Sequence, residues 1–205
     1  MTAAIRLRAV AHRFGGTTVL RGVDLRVDPG ERVAITGANG VGKTTLLKLI
    51  AGLLRPDTGD VTVLGGTLRD PRVRARIGFV GHQPFLYPRL TARENLRFWA
   101  RMYGSTDDGV AVLRHLGLDA DDTRPVSAFS QGMRRRVALA SALGHDPELL
   151  LLDEPFAGLD DAGVSAVAGL LTDGGRTVVF ATHAVDQPAP RVDRLLTLHD
   201  GRLER

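Results

Sequence analysis

Four residues at fixed spacing suggest chemistry first: Gly37, Gly42, Lys43 and Thr44, in the run Gly37-Ala-Asn-Gly-Val-Gly-Lys-Thr-Thr45. They fit the pattern G-x-x-x-x-G-K-[ST] and lie between a β-like run, Glu31 to Thr36, and a helix-forming run, Thr45 to Ala51. Glycines let several backbone N–H groups turn toward one centre, and the helix that follows adds the positive end of its dipole. Such a nest takes phosphate oxygens, with Asn39, Gly40 and Thr45 in the same loop. Lys43 would reach the β- and γ-phosphates, and the Thr44 hydroxyl would ligate Mg²⁺. A glycine-rich turn with a chance lysine is the alternative, and four matched positions in a strand–loop–helix setting weigh against it.

Two acids form the next constellation. Leu149 to Leu152 read as a fully buried strand that delivers Asp153 and Glu154 at its carboxyl end, where open α/β sheets bind ligands. Asp153, through water, would complete the Mg²⁺ shell begun by Thr44, and Glu154 would polarise a water for attack on the γ-phosphate. An exposed Asp-Glu turn before Pro155 is the competing account. His183 ends the next strand, Arg176 to Ala181, beside the same phosphate, although a lone histidine is more often structural. Phe14, before Gly15-Gly16, could stack on a base, although a phenylalanine is more often simply core.

The elements that must hold these residues follow from periodicity. Residues 4 to 36 are β-rich: an alternating strand, then Thr17–Leu20, then Val23–Val27 with a turn at Pro29-Gly30. Further strands are expected at Asp60–Leu64, Arg76–Val80 and Asp193–Leu198, and a helix at Asp161–Leu171. Between them the pattern turns helical. Thr91-Ala-Arg-Glu94 is a capping box, after which Leu96, Trp99, Ala100 and Tyr103 recur at helical spacing. Helices at 110–116 and 131–143 complete the stretch. The expected organisation is α/β, one unit over 1–205, with a core of 1–81 and 146–205 and a helical insert of 82–145.

Six of the ten aromatic residues fall between Phe79 and Tyr103. Core packing accounts for such a cluster, and so does a docking groove for a partner helix. The chain has no cysteine, no secretion signal at its alternating N-terminus and no apolar run near the ~18 residues that span a bilayer, so a cytosolic location is expected. The net charge is +4, yet the arginines are scattered. Arg134–Arg136 and the spaced Arg72, Arg74 and Arg76 lack interleaved aromatics, so they are expected to be solvated or to meet acidic surfaces. No nucleic acid is expected as a partner.

Gly37–Thr44, Gln83, Phe129-Ser-Gln-Gly-Met133, Leu149–Pro155, Gly158-Leu-Asp160 and His183 occur in an order that resembles the nucleotide-binding subunit of an ATP-binding-cassette (ABC) transporter. The resemblance covers essentially the whole chain. It implies a P-loop NTPase fold, with a RecA-like core, an antiparallel β subdomain and an α-helical insert, and an ATPase that uses ATP and Mg²⁺. It further implies a head-to-tail homodimer in which each ATP lies between one subunit's phosphate loop and the other's Ser130 and Gly132. Asp160 would connect the two sites, and Gln83 would touch Mg²⁺ or the water. His183 would hold the γ-phosphate, and Phe14 would stack on adenine. Work at the cytoplasmic face of the membrane with a separate permease is implied as well. The family's usual Leu-Ser-Gly-Gly-Gln departs here at Gln131 and Met133, and Phe14 stands where Tyr is commoner.

A narrower likeness lies in Ile35–Asn39, Gly81–Pro84 and Leu90–Phe98, which resemble the haem-exporter ATPase of the cytochrome c maturation system. It implies haem-handling membrane partners, although no haem site is visible in this chain. Competing expectations are an exporter of drugs or lipids and a soluble ABC protein that acts on ribosomes or DNA. The last usually carries two fused cassettes or long coiled-coil insertions.

Overall fold

The computed structural model describes residues 2–172, 175–183 and 192–204. Along the chain the elements are β1 (Ile5–Phe14), β2 (Thr17–Val27), β3 (Arg32–Thr36), α1 (Lys43–Ile50), β4 (Thr58–Val63), α2 (Pro71–Arg74) and β5 (Ile77–Val80). After these come α3 (Ala92–Tyr103), α4 (Val110–His115), α5 (Gln131–Leu143), β6 (Leu149–Asp153), α6 (Asp161–Thr172), β7 (Thr177–Ala181), β8 (Arg194–His199) and β9 (Arg202–Glu204). One sheet is antiparallel, in the order β2-β1-β4. The other runs β5-β6-β7-β3-β8-β9 and is parallel except for β9 at its edge. The expected α/β arrangement is therefore observed.

Some elements differ from expectation for local reasons. The two short runs expected at 17–20 and 23–27 are one strand, β2, tied midway by the Arg21 amide donating to Gly201 O at 2.8 Å. Helix α2 is too short to show a period; Pro71 starts it and Asp70 caps it, accepting from the Arg72 amide at 2.8 Å. Strand β9 is three residues folded back on β8 after the Asp200-Gly201 turn, too few to show alternation.

The central strands are buried on both faces, and alternate side chains feed two different cores. Leu149 and Leu151 join Val33, Ile35, Val179 and the buried face of α1 beneath the antiparallel sheet. Leu150 and Leu152 join Ala34, Val178, Phe180 and the residues of α3, α4, α5 and α6 on the other side. Full burial of each leucine contributes roughly 1.5–3 kcal/mol relative to exposure. The continuous leucine run in the sequence thus reflects a strand with no solvent face.

Helix α3 has the expected capping box: the Glu94 amide donates to Thr91 Oγ1 at 3.2 Å, and the Thr91 amide donates to Glu94 Oε2 at 2.8 Å. One turn on, the fully buried Asn95 accepts from the Tyr87 amide at 2.7 Å and donates to the carbonyls of Tyr87 and Thr91 at 3.1 and 3.0 Å. A buried amide satisfied on both sides pins the 87–91 loop to the helix. None of the six aromatics between Phe79 and Tyr103 is fully buried, and Phe85 and Tyr87 are exposed. The core account of that cluster is therefore the weaker one.

Candidate nucleotide and hydrolysis site

The phosphate-loop pattern lies where its spacing places it, between the end of β3 and the start of α1. Gly42 has φ 116°, and a Cβ there would stand 2.9 Å from Val19 Cγ1, so only glycine lets β2 approach the loop this closely. The same hairpin carries the half-exposed Phe14 at the end of β1, its ring edge-on to His12 at 4.7 Å. Lys43 is buried and folds back on its own loop, donating from Nζ to Gly37 O at 2.7 Å and Ala38 O at 3.1 Å. Ala38, Asn39 and Gly40 are exposed, and Thr45 is buried on α1. No side chain caps α1 at Gly42, unlike Thr91 on α3 and Ser130 on α5.

Strands β6 and β7 bring the acids to this point. Thr44 Oγ1 donates to Asp153 Oδ2 at 2.7 Å, and Asp153 is almost fully buried. Glu154 follows with φ 54°, in the left-handed region, and its amide donates to Ala181 O at 2.8 Å. Its Oε2 lies 2.9 Å from Nδ1 of His183, whose ring is exposed just past β7. Thr44 on α1 with Asp153, and Glu154 with His183, therefore form two contacting pairs at the adjacent ends of β6 and β7.

Ser130, Gly132 and Asp160 form a separate group. Ser130 Oγ accepts from the Met133 amide at 3.2 Å and so caps α5. Gly132 is buried, and a Cβ on it would fall 2.6 Å from Gly158 O, which explains the glycine. Asp160 Oδ1 accepts from the Gly163 amide at 3.0 Å at the start of α6. Among the described contacts none joins these residues to Lys43 or Thr44. Gln83 is exposed in a cleft of about 300 Å³ shared with His82, Gln131, Arg134 and Arg135, on the α5 side rather than against Asp153.

The basic run Arg134–Arg136 corrects the sequence expectation of solvated arginines. Arg134 donates to Phe129 O at 2.7 Å and Arg136 to Leu116 O at 3.2 Å. Arg135 is buried, and its guanidinium meets the backbone carbonyls of Gly81, His82, Asp153 and Glu154. Burial pushes the Arg135 guanidinium down from its ordinary range, and the charges of Asp153 and Glu154 oppose that. The signal for it was the helical period, because Gly132, Arg135, Leu139 and Ala142 fall on one buried stripe of α5.

The sequence profile described as ABC transporter matches residues 20–157. The chain belongs to this family. It is similar to the linearmycin resistance ATP-binding protein LnrL of Bacillus subtilis (strain 168), at 34 % identity over 93 % of this chain and 64 % of that protein. It is also similar to the Fe(3+) ions import ATP-binding protein FbpC 2 of Rhodococcus jostii (strain RHA1), at 38 % identity over 99 % of this chain and 62 % of that protein. The chain thus spans less than two thirds of the length of these curated relatives. Among solved structures, the dimeric post-hydrolysis state of the ATP-binding cassette MJ0796 bound to ADP and Pi superposes with a TM-score of 0.85. That match is 30 % identical and covers 98 % of this chain and 97 % of the other. The fold is the ABC form of the P-loop NTPase, with its mixed sheet and helices.

Proposed function

We propose that this ABC cassette is the ATP-hydrolysing subunit that powers a separate membrane permease. The observation that carries it is the paired contact at the carboxyl ends of β6 and β7, Thr44 with Asp153 and Glu154 with His183, beside a helix start that no side chain caps. Lys43 exchanges its loop carbonyls for the β- and γ-phosphates of ATP, and the loop amides of Gly37, Asn39, Gly40, Gly42 and Thr45 hold the remaining oxygens. Glu154 orients the attacking water and takes its proton, and His183 holds the carboxylate in place and faces the γ-phosphate. Thr44 and Asp153 are hard oxygen donors already in contact, which fits Mg²⁺ held by Thr44 and, through water, by Asp153; Gln83 would have to turn from its cleft on the α5 side to join them. The ion when bound would neutralise phosphate charge. Phe14, exposed at the tip of the β1–β2 hairpin, stacks on adenine.

Ser130, Gly132 and Asp160 serve the partner copy in a head-to-tail dimer, a reading supported by the dimeric MJ0796 cassette. The division into a core of 1–81 and 146–205 and an insert of 82–145 belongs to the same proposal. An apolar cleft of about 510 Å³ lined by Leu53, Phe79, Phe85, Trp99, Met102 and Tyr103 supports a permease helix docked on the cytoplasmic side. Among the described residues no helix is long and apolar enough to cross a membrane. The cargo is a separate matter. Haem rests on the likeness in 35–39, 81–84 and 90–98 alone, whereas the two relatives are named for linearmycin resistance and for iron import. Identification of the co-purifying membrane subunit decides between them.

The test of the ATPase is Glu154→Gln. Steady-state hydrolysis should fall by about 100-fold or more while ATP affinity is kept and a closed dimer accumulates in light scattering. Undiminished turnover would remove Glu154 from the role of base.

A further inference from the structure

Strands β5 and β6 pair in register from Ile77 opposite Leu149 to Val80 opposite Leu152. The next pair would be Gly81 with Asp153, but β5 stops at Val80, Asp153 keeps only its β7 partner Ala181, and the Arg135 guanidinium reaches the carbonyls of both Gly81 and Asp153. Nη1 donates to Gly81 O at 2.7 Å and to His82 O at 3.4 Å, while Nη2 donates to the carbonyls of Asp153 and Glu154. One side chain from α5 thus takes over from the β5–β6 ladder where the acids emerge. Glu154 lies at φ 54°, a conformation that costs a non-glycine residue about 1–3 kcal/mol and persists only when its surroundings hold it. Its amide is held by Ala181 O and its carbonyl by Arg135. Arg135 lies five residues after Ser130 on the same helix, about 7.5 Å along its axis. A planar guanidinium spreads its donors over separate nitrogens in a fixed fork and so spans carbonyls on two diverging strands, whereas an ammonium gathers its three donors on one atom.

We infer that Arg135 is a positioning residue for hydrolysis, fixing the backbone of Glu154 and the segment leading to Gln83 to the helix that begins at Ser130. A shift of the α5 start then moves the carboxylate that activates water. The inference rests on the ATPase reading and extends it to a residue that touches neither ATP nor water.

The test compares Arg135→Met with Arg135→Lys in the full chain, using Mg²⁺-ATP turnover, KM for ATP and the thermal midpoint. Arg135→Met should lower kcat about 10- to 100-fold with KM within about threefold, as expected when a reacting group is misplaced but binding is not. Arg135→Lys, which keeps the charge and some of the donors, should restore part of that loss. Wild-type kcat in Arg135→Met would overturn the inference. So would equal losses of kcat, ATP affinity and thermal midpoint in both variants, which would mark a merely structural role. Should Arg135→Met fail to fold, Arg135→Gln carries the same comparison. If the wild-type chain turns over ATP and Glu154→Gln does not, a normal Arg135→Met defeats only this inference. No turnover in the wild type would defeat the ATPase reading beneath it.

Discussion

The starts of α1 and α5 are built in opposite ways. At α1 no side chain supplies a cap, and the nearest charged group, Lys43, spends its hydrogen bonds on two carbonyls of its own loop. At α5 the Ser130 hydroxyl already accepts from Met133, and Gly132 is pressed against Gly158. The first start sits beside its acids and has the groups to meet an anion within one chain. The second is finished as a helix end and makes no described contact with the phosphate loop. ATP binding should therefore survive damage to α5, whereas hydrolysis should need both starts.

The largest expected effect breaks the first half. Lys43→Ala removes a charged donor worth about 1.5–3 kcal/mol, so ATP affinity should fall about 10- to 100-fold in equilibrium titration. Unchanged affinity would separate Lys43 from the phosphates. A smaller effect sharpens the contrast: the Cβ of Gly132→Ala must displace the Gly158 carbonyl, at about 1–3 kcal/mol. Hydrolysis should drop about tenfold while the single-chain affinity for ATP holds. A parallel loss of affinity would show that the two starts are not independent. The smallest effect concerns stability alone. His145, just beyond α5, is stacked on Tyr103 at 3.8 Å, and burial pushes its imidazole down. Below its ordinary value of about 6.5 the unfolded chain binds a proton that the folded chain resists, so stability falls on acidification. The melting temperature should drop by no more than about 3 °C between pH 7 and 5.5, and His145→Gln should flatten that difference.

The sequence showed most of the first half and less of the second. Gly37–Thr45, Asp153-Glu154 and His183 were legible because their chemistry is local: a loop between a strand and a helix, and acids at the end of a leucine run. The helices from Thr91 to Leu143 were legible from a capping box and a 3.6-residue period. Arg135 and Asn95 were not: the period puts Arg135 on the buried stripe of α5, but a charged or amide side chain counts as polar until its backbone acceptors are known, and those lie 18 to 54 residues away for Arg135. The aromatic cluster was ambiguous for a similar reason, since period alone does not say whether a ring meets the protein's own core or something outside it. Helix α2 and strand β9 were too short to show a period at all.

The central strand carries one last consequence. Leu149 to Leu152 alternate between two cores, and the next residues, Asp153 and Glu154, meet Thr44 and His183 in turn. Asp153 keeps the side of that alternation that faces α1, and Glu154 leaves the strand at φ 54°. Insertion or deletion of a single residue in this strand would exchange its two faces and turn Asp153 away from Thr44. Chain length here is as tightly fixed as side-chain identity.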